Sequence, residues 1–396
     1  MAKKTLRDID VQHKRVLVRT DFNVPLSPDG SVLDNFRIKA ALPTINYLKE
    51  NKAKIILMSH LGRPKGKVVD KLKMDPVAKE LSNLLGAPVK KLNDCIGEEV
   101  NEAIANAHYG DILLLENLRF HKGEKENDTE FAKKIASLGD IYVDDAFATA
   151  HRIAASNVGI TAFLPSVAGL LMEKEITNLT KVLTAPEHPF VAILGGAKVS
   201  DKIGVISNLM NKVEAFLIGG GMCFTFLKSK GYKIGYSLCE EDKLSTANDI
   251  MKEAEQKNIR IVLPSDIVSV PEVKQEAPAK TVDIEEIPKD GIGVDIGPKT
   301  VASFKKELSK AKTVVWNGPL GVFEIEKFAK GTYDIAEFLG ELKGKTIVAG
   351  GGETVAALRR FGVDKKITHI STGGGAFLKF LEGKSLPAIE AIEDRN

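Results

Sequence analysis

Two lysines four residues apart, Lys198 and Lys202, follow the diglycine Gly195–Gly196 at the end of a short apolar run, Phe190–Leu194. A run of this length suits a buried strand better than a helix. Glycines let backbone N–H groups come close to a ligand, and a helix N-terminus favours anions. Ile203, Val205, Ile206 and Leu209 form an apolar helical face, which predicts a helix starting at the lysines. Residues four apart share a helix face, so both ammonium groups would point the same way. The whole reads as a cradle for a polyphosphate. It is not a Walker A loop, which needs GxxxxGK and then Ser or Thr. The nearest match, Gly340, Gly344, Lys345 and Thr346, is one residue short. The alternative is an ordinary strand–helix unit with solvated lysines.

Other apolar runs in the first part of the chain lead into polar and basic residues. Val16–Val18 leads to Arg19, Asp21 and Asn23; Ile55–Met58 leads to His60 and Arg63. Ile112–Leu115 leads to Glu116, Asn117 and Arg119; Ile141–Val143 leads to Asp144, Asp145, His151 and Arg152. Arg37 lies between the first two runs. Guanidinium groups after different strands can grip a phosphate or carboxylate bidentately. Taken singly, each arginine could be a surface ion-pair partner, and His60, His121 and His151 could be structural. Later in the chain the runs are followed by glycines: Gly195–Gly196, Gly219–Gly221, Gly318 and Gly321, Gly350–Gly352, and Gly373–Gly375. Such a set suits a ligand approached by backbone at many points, as a nucleotide is. Adjacent side chains on an extended chain diverge, so at most one of Asp144 and Asp145 faces a site. Glu124 to Asp128 reads as a solvated loop. The glycines of Gly291–Gly297 give GxGxxxG rather than the dinucleotide fingerprint.

These residues need rigid elements to place them. The runs Phe216–Ile218, Ile259–Leu263, Thr313–Trp316, Thr346–Ala349 and His369–Ile370 complete the set of expected strands. Runs apolar on both faces, alternating with helical patterns, predict an α/β fold of parallel sheets. A chain of 396 residues has room for two domains. Met172, Ile176, Leu179 and Leu183 make one helical stripe, so residues 166–183 are expected to form a connecting helix. Residues 1–165 would be the first domain and 184–384 the second, with 385–396 either a tail or a strap. Composition is 43% hydrophobic and 28% charged, and the net charge is only +3. That argues against whole-molecule attraction to nucleic acid or membrane. No apolar run is long enough to span a bilayer, and the first residues lack a signal-peptide core. Cys95, Cys223 and Cys239 fit neither a disulfide framework nor a metal motif, so a reducing cytoplasm is expected.

In order along the chain stand VRTDFNVP (18–25), SHLGRP (59–64), ENLRF (116–120), DDAFATAHR (144–152), ILGGAKVSDKI (193–203), IGGGMCFTFLK (218–228), VVWNGPLGVFE (314–324), GGGET (350–354) and STGGGAFL (371–378). With these motifs the chain resembles the phosphoglycerate kinases over essentially its full length. The resemblance implies two doubly wound, mostly parallel-sheet, Rossmann-like domains joined by a helix and hinge, in a monomer whose C-terminal tail returns to the first domain. It implies reversible phosphoryl transfer in glycolysis, from 1,3-bisphosphoglycerate to magnesium ADP, giving 3-phosphoglycerate and magnesium ATP. Mg2+ would accompany the nucleotide.

Carried over by position, Asp21, Phe22 and Asn23, with Arg37, His60, Leu61, Gly62, Arg63, Arg119 and Arg152, match the acceptor site. Gly195, Lys198 and Lys202 match the phosphate-binding loop; Gly219, Gly220 and Gly293 match the adenine side. Asn317 matches a phosphate contact and Glu324 a ribose acceptor. Gly351, Gly352, Glu353 and Thr354 match the metal–phosphate loop, and Gly374 and Gly375 a helix N-terminus aimed at the transferring group. Arg37, Lys198, Gly374 and Gly375 are the expected catalytic groups. Two positions depart from the family pattern: Glu353, the expected magnesium contact, replaces Asp, and Ala148 replaces Gly. A binding protein that closes on an anion without turnover and a nicotinamide-dependent dehydrogenase are the competing readings. The second lacks its fingerprint.

Overall fold

The computed structural model describes residues 2–395. Among them the chain forms two compact units, Met1–Thr177 with Ser385–Asn396, and Asn178–Lys384. The division falls within the helix Leu170–Thr184. The expected connecting helix is four residues shorter at its start: Ser166–Ala168 is a strand paired with Ile141–Asp144, not a helical turn.

The first unit holds strands β1 (Arg15–Arg19), β2 (Lys54–Met58), β3 (Val89–Lys91), β4 (Ile112–Leu114), β5 (Ile141–Asp144) and β6 (Ser166–Ala168) in one sheet. The strand order is β3-β4-β2-β1-β5-β6, and every pairing is parallel. Alternate residues of one strand enter different cores. Val16 and Val18 pack with Ile55, Leu57 and Ile38 on one face; Leu17 packs with Ile56, Met58 and Ile135 on the other. Burial on both faces explains why these strands read as continuous apolar runs. The segment 385–395 packs on this unit. Lys4 N donates to Glu393 O (2.8 Å), Ala388 N to Ala150 O (3.1 Å), and Arg395 N to Ala2 O (2.7 Å).

In the second unit come β7 (Phe190–Leu194), β8 (Ala215–Ile218), β9 (Arg260–Val262), β10 (Asp266–Val270), β11 (Lys280–Asp283), β12 (Ile292–Ile296), β13 (Thr313–Asn317), β14 (Thr346–Gly350) and β15 (His369–Ile370). Six of them make a second all-parallel sheet, ordered β15-β14-β13-β7-β8-β9. Strand order reverses between β7 and β13, where Leu194 pairs with Asn317. Ligands of doubly wound sheets bind beyond such a switch point. The remaining three strands form a small antiparallel sheet, β11-β10-β12, which the sequence reading did not foresee.

The carboxylates that follow β5 do not face a ligand. Both are fully buried. Asp144 accepts from Ala146 N (3.0 Å). Asp145 Oδ1 accepts from Leu171 N (2.9 Å) and Met172 N (3.2 Å), and so caps the helix Leu170–Thr184. Burial pushes the Asp145 carboxyl up to about 7 from its ordinary 3.8. A raised acid pKa means the folded chain binds the proton more tightly than the unfolded chain does. The stability it contributes is therefore full below the unfolded value and is lost as pH rises towards 7. Asp145→Asn keeps an oxygen for the two N–H groups and removes the titration. Its Tm should gain on that of the native protein as pH is raised from about 4 to about 8. A Tm difference that stays flat over that range would show that Asp145 is not held protonated.

Candidate active site

Beyond the carboxyl ends of β1, β2 and β4, the first unit gathers positive charge. His60 is buried, and burial pushes its imidazole well below the usual histidine range; the charges of Arg19, Arg119, Arg152 and Arg37 push it further. The charges of four guanidinium groups thus act on one imidazole. Arg37 Nη1 donates to Asp21 Oδ2 (2.6 Å) and to Asn23 O (3.3 Å). Asn23 Oδ1 accepts from Gly62 N (2.9 Å), which ties the first loop to the second. Arg119 Nη1 donates to Gly62 O (2.8 Å), a neutral carbonyl. Burial, together with the charges of Arg152 and Arg19, drags the Arg119 guanidinium down to about 10. A desolvated cation among other cations, with a carbonyl as its hydrogen-bond partner, suits an anion that has yet to bind. Arg63 and Arg152 are exposed. Phe22 and Leu61 are buried, so their side chains belong to the core, and they shape the patch through backbone. Phe22 N donates to Ser59 Oγ (2.8 Å) and Leu61 N to Asn117 Oδ1 (3.2 Å).

The second unit carries two adjoining clefts that share Gly196, Ala197 and Glu353. One, of about 680 Å³, is mostly apolar: Gly220, Phe224, Leu238, Gly293, Leu320 and Glu324 are among its walls. The other, of about 820 Å³, is lined by Lys198, Asp201, Lys202, Asn317, Gly351, Gly352, Thr354, Gly374 and Gly375. An apolar slot opening into a lysine- and glycine-lined slot matches a base followed by phosphates. Helices Gly352–Arg360 and Gly374–Leu381 both start at the second cleft with no side-chain cap, and the first N–H groups of a helix have no intrahelical partner.

Close backbone packing builds these walls. A Cβ on Gly195 would collide with the Pro319 carbonyl oxygen, and one on Gly293 with the Phe224 ring. Lys202 is buried; Nζ donates to Asn317 Oδ1, and Asn317 Nδ2 donates to Gly350 O (2.7 Å). Burial pulls the Lys202 ammonium below its ordinary range, against the nearby carboxylates of Asp201, Glu353 and Glu382. Thr354 Oγ1 accepts from Gly318 N (2.7 Å), which locks the β13 turn to the Gly352–Arg360 helix.

Several sequence expectations need adjusting. The helix after the diglycine is Ile203–Leu209. Lys198 and Lys202 precede it in the turn, one exposed and one buried, and do not stack on a helix face. Gly195 and Gly219 line neither cleft. The Gly195 N–H is committed to Asn317 O (2.9 Å) and that of Gly219 to Leu194 O (3.0 Å). The acidic stretch is not a solvated loop: Lys122–Glu126 is a helical turn, and Glu124 is buried. Ala148 does not have a positive φ, so its methyl fits the Phe147–Thr149 turn. Asp201 and Phe224 were not singled out as candidates, and Arg19 was noted after its run but not carried into the site. An arginine at the end of a run buried on both faces was itself a signal, because a charge there must be paired.

A cation partner for the phosphates has one evident ligand. Glu353 is exposed, borders both clefts and lies in the first turn of its helix. Asp201 is the other carboxylate of the phosphate-side cleft. Magnesium is commonly held by one or two carboxylates plus substrate phosphates, so these donors fit it. The grouping Asp94, Cys95 and His121 in the first unit is satisfied internally. His121 Nε2 lies 2.5 Å from Asp94 Oδ1, and the buried Cys95 thiol donates to Glu116 O (2.8 Å).

A family model described as phosphoglycerate kinase matches residues 6–384. The chain is 59% identical to the phosphoglycerate kinase of Dictyoglomus turgidum and 55% identical to that of Pseudothermotoga lettingae, each over 100% of both chains. Among solved structures it is similar to phosphoglycerate kinase from Coxiella burnetii (TM-score 0.88, 41% identity) and from Pyrococcus horikoshii (TM-score 0.86, 33% identity), each over 98% of both chains.

The glycines of the second unit are separable by experiment. Gly195→Ala forces the two turns apart and should cost about 1–3 kcal/mol of stability in chemical denaturation. No atom lies within 4 Å of a Cβ built on Gly352. Gly352→Ala should leave Tm unchanged and weaken ADP binding in calorimetry. Unchanged ADP affinity would mean that the Gly352 backbone does not meet the ligand.

Proposed function

Because the chain belongs to the phosphoglycerate kinase family, we propose that its two units divide that family's reaction between them. Phosphoglycerate kinase activity, a phosphotransfer to a carboxyl acceptor in glycolysis, is its function. In our reading the first unit holds 3-phosphoglycerate or 1,3-bisphosphoglycerate, and the second holds ADP or ATP. The observation that carries the assignment is the contrast between the two sites: four guanidinium groups whose charges act on His60 in one, and an apolar cleft joined to a lysine cleft in the other.

Phosphoryl transfer asks little covalent chemistry of the protein; positioning and charge neutralisation dominate. Arg37, braced by Asp21, is placed to meet the acceptor carboxylate and the group in flight. Lys198 is exposed and free to follow the transferring phosphoryl group, while Lys202, fixed on Asn317, holds a phosphate that stays. Gly374 and Gly375 offer N–H donors at a helix start, where they stabilise negative charge that develops during transfer. Glu324 is the ribose acceptor, and Gly220 and Gly293 border the base. Magnesium held by Glu353, with Asp201 in reach, would neutralise the charge of the nucleotide phosphates when bound. The acceptor oxygen is already ionised, so no general base is assigned, and His60 is a hydrogen-bond donor. With the ligands held by different units, transfer requires closure, which also excludes water. We further propose that it acts as a monomer in the cytoplasm.

The test is ADP formation from magnesium ATP with and without 3-phosphoglycerate, trapping the acyl phosphate with a coupled dehydrogenase. Turnover should depend on 3-phosphoglycerate. Arg37→Ala and Lys198→Ala should each lower kcat by about 100- to 1000-fold, the usual cost of removing one charge-stabilising donor. Arg37→Ala should keep near-native ADP affinity. A near-native kcat in Arg37→Ala would remove it from the reacting centre.

A further inference from the structure

Arg19 is the one guanidinium of the first unit's basic patch that is nearly sealed from water, with 2% of its surface exposed. Its side chain does not reach outward. Nε donates to Ser156 Oγ (2.9 Å), Nη1 to Thr20 O, and Nη2 lies 3.2 Å from His60 Nδ1. Beside it lies Glu124, as buried as Arg19, with Oε1 at 4.0 Å from Nη2. Ser156 Oγ donates to Glu124 Oε1 (2.7 Å), and Ser156 N to Glu124 Oε2 (3.1 Å).

Each direction in this chain is fixed by chemistry. Arg19 Nε can only donate to Ser156 Oγ, so the serine's own proton goes to Glu124. The Ser156 oxygen is then free to accept from Arg19. A guanidinium has no acceptor and does not lose its proton, so Arg19 can only donate to the imidazole. Nδ1 must offer its lone pair, which excludes both the Nδ1–H tautomer and the imidazolium. The ring proton is left on Nε2. His60 makes no other side-chain hydrogen bond among the described residues, and its Nε2 is not among the buried polar atoms left without a partner.

We propose that Arg19, anchored by Ser156 and Glu124, is a positioning residue that holds His60 as the neutral Nε2–H tautomer, so that the ring presents a donor to the acceptor's anionic group. Arg19 contacts no ligand in this role. It adds charge to the patch without presenting a fifth outward cation, and Glu124 Oε1 lies 4.0 Å from the same Nη2 that faces His60. The arrangement also accounts for a serine, an arginine and a glutamate buried together beneath a site that binds anions. The inference rests on assigning the acceptor to this patch.

The ring tautomer is read directly by 15N NMR of the histidines in the ligand-free protein at neutral pH, with His60→Gln giving the assignment. His60 should show the Nε2–H pattern. In Arg19→Met, and more mildly in Glu124→Gln, the pattern should shift towards Nδ1–H or a mixture. In both variants KM for 3-phosphoglycerate should rise about tenfold, the scale of losing one hydrogen bond to a charged group, with KM for MgATP unchanged. Arg19→Lys, which can still donate to Nδ1, should recover most of both effects. Circular dichroism and Tm select folded variants; if Arg19→Met does not fold, Glu124→Gln and Arg19→Lys carry the test. A proton on Nδ1 in the native protein would overturn the inference and leave the acceptor assignment standing. So would a tautomer that changes in the variants while KM does not. If Arg37→Ala and His60→Gln also left the 3-phosphoglycerate KM untouched, the acceptor assignment itself would have failed.

Discussion

Like charges repel, and the first unit concentrates them at the carboxyl edge of one sheet. Its local architecture makes that tolerable. Arg37 is held by Asp21, Arg119 by a backbone carbonyl and Arg19 by Ser156 above the buried Glu124. Arg63 and Arg152 stay in water. His60 escapes the conflict by staying neutral. Clustered cations repel one another, so an anion bound among them would gain from relief of repulsion already present.

The second unit solves the complementary problem with little charge. Its clefts are walled largely by backbone, brought close by turns that tolerate no side chain. Gly195, Gly220 and Gly318 pack main chain against main chain where β7 and β13 end. One buried lysine, one exposed lysine and two helix N-termini then supply positive potential. Distributing that potential over peptide dipoles avoids crowding ammonium groups, and it leaves room for the carboxylates Glu353 and Asp201 beside them.

Much of this was legible in the sequence. Strands buried on both faces appear as continuous apolar runs, and many of the polar residues just beyond them gather at the carboxyl edges of the two sheets. The parts that were not legible share a cause. Polar residues and glycine interrupt β10, β11 and β12 (Ser269, Thr281, Gly293 and Asp295 among them), and β11 is largely exposed, so no continuous apolar run marks them. The glycines of Gly291–Gly297 looked like a failed fingerprint because their reason, the Phe224 ring pressed against Gly293, is a tertiary contact. Glu124 looked solvated because it sits in a charged stretch, and only folding brings Arg19 and Ser156 to it. The lysine pair was placed on a helix by periodicity, whereas Gly196, at φ +95°, turns the chain so that the helix starts later.

The chain leaves the first unit in the helix Leu170–Thr184 and returns to it at Ser385. The second unit is therefore an insertion in the first rather than its successor. A ribosome finishes the sheet of the first unit early, but Glu393 and Ala388, which bond the Lys4 and Ala150 backbones, are made only after the 207 residues of Asn178–Lys384. At typical synthesis rates that interval is about 10–40 s. Throughout it, the surface later covered by residues 385–395 stays bare on the nascent chain. The unit begun first is therefore the last to be completed.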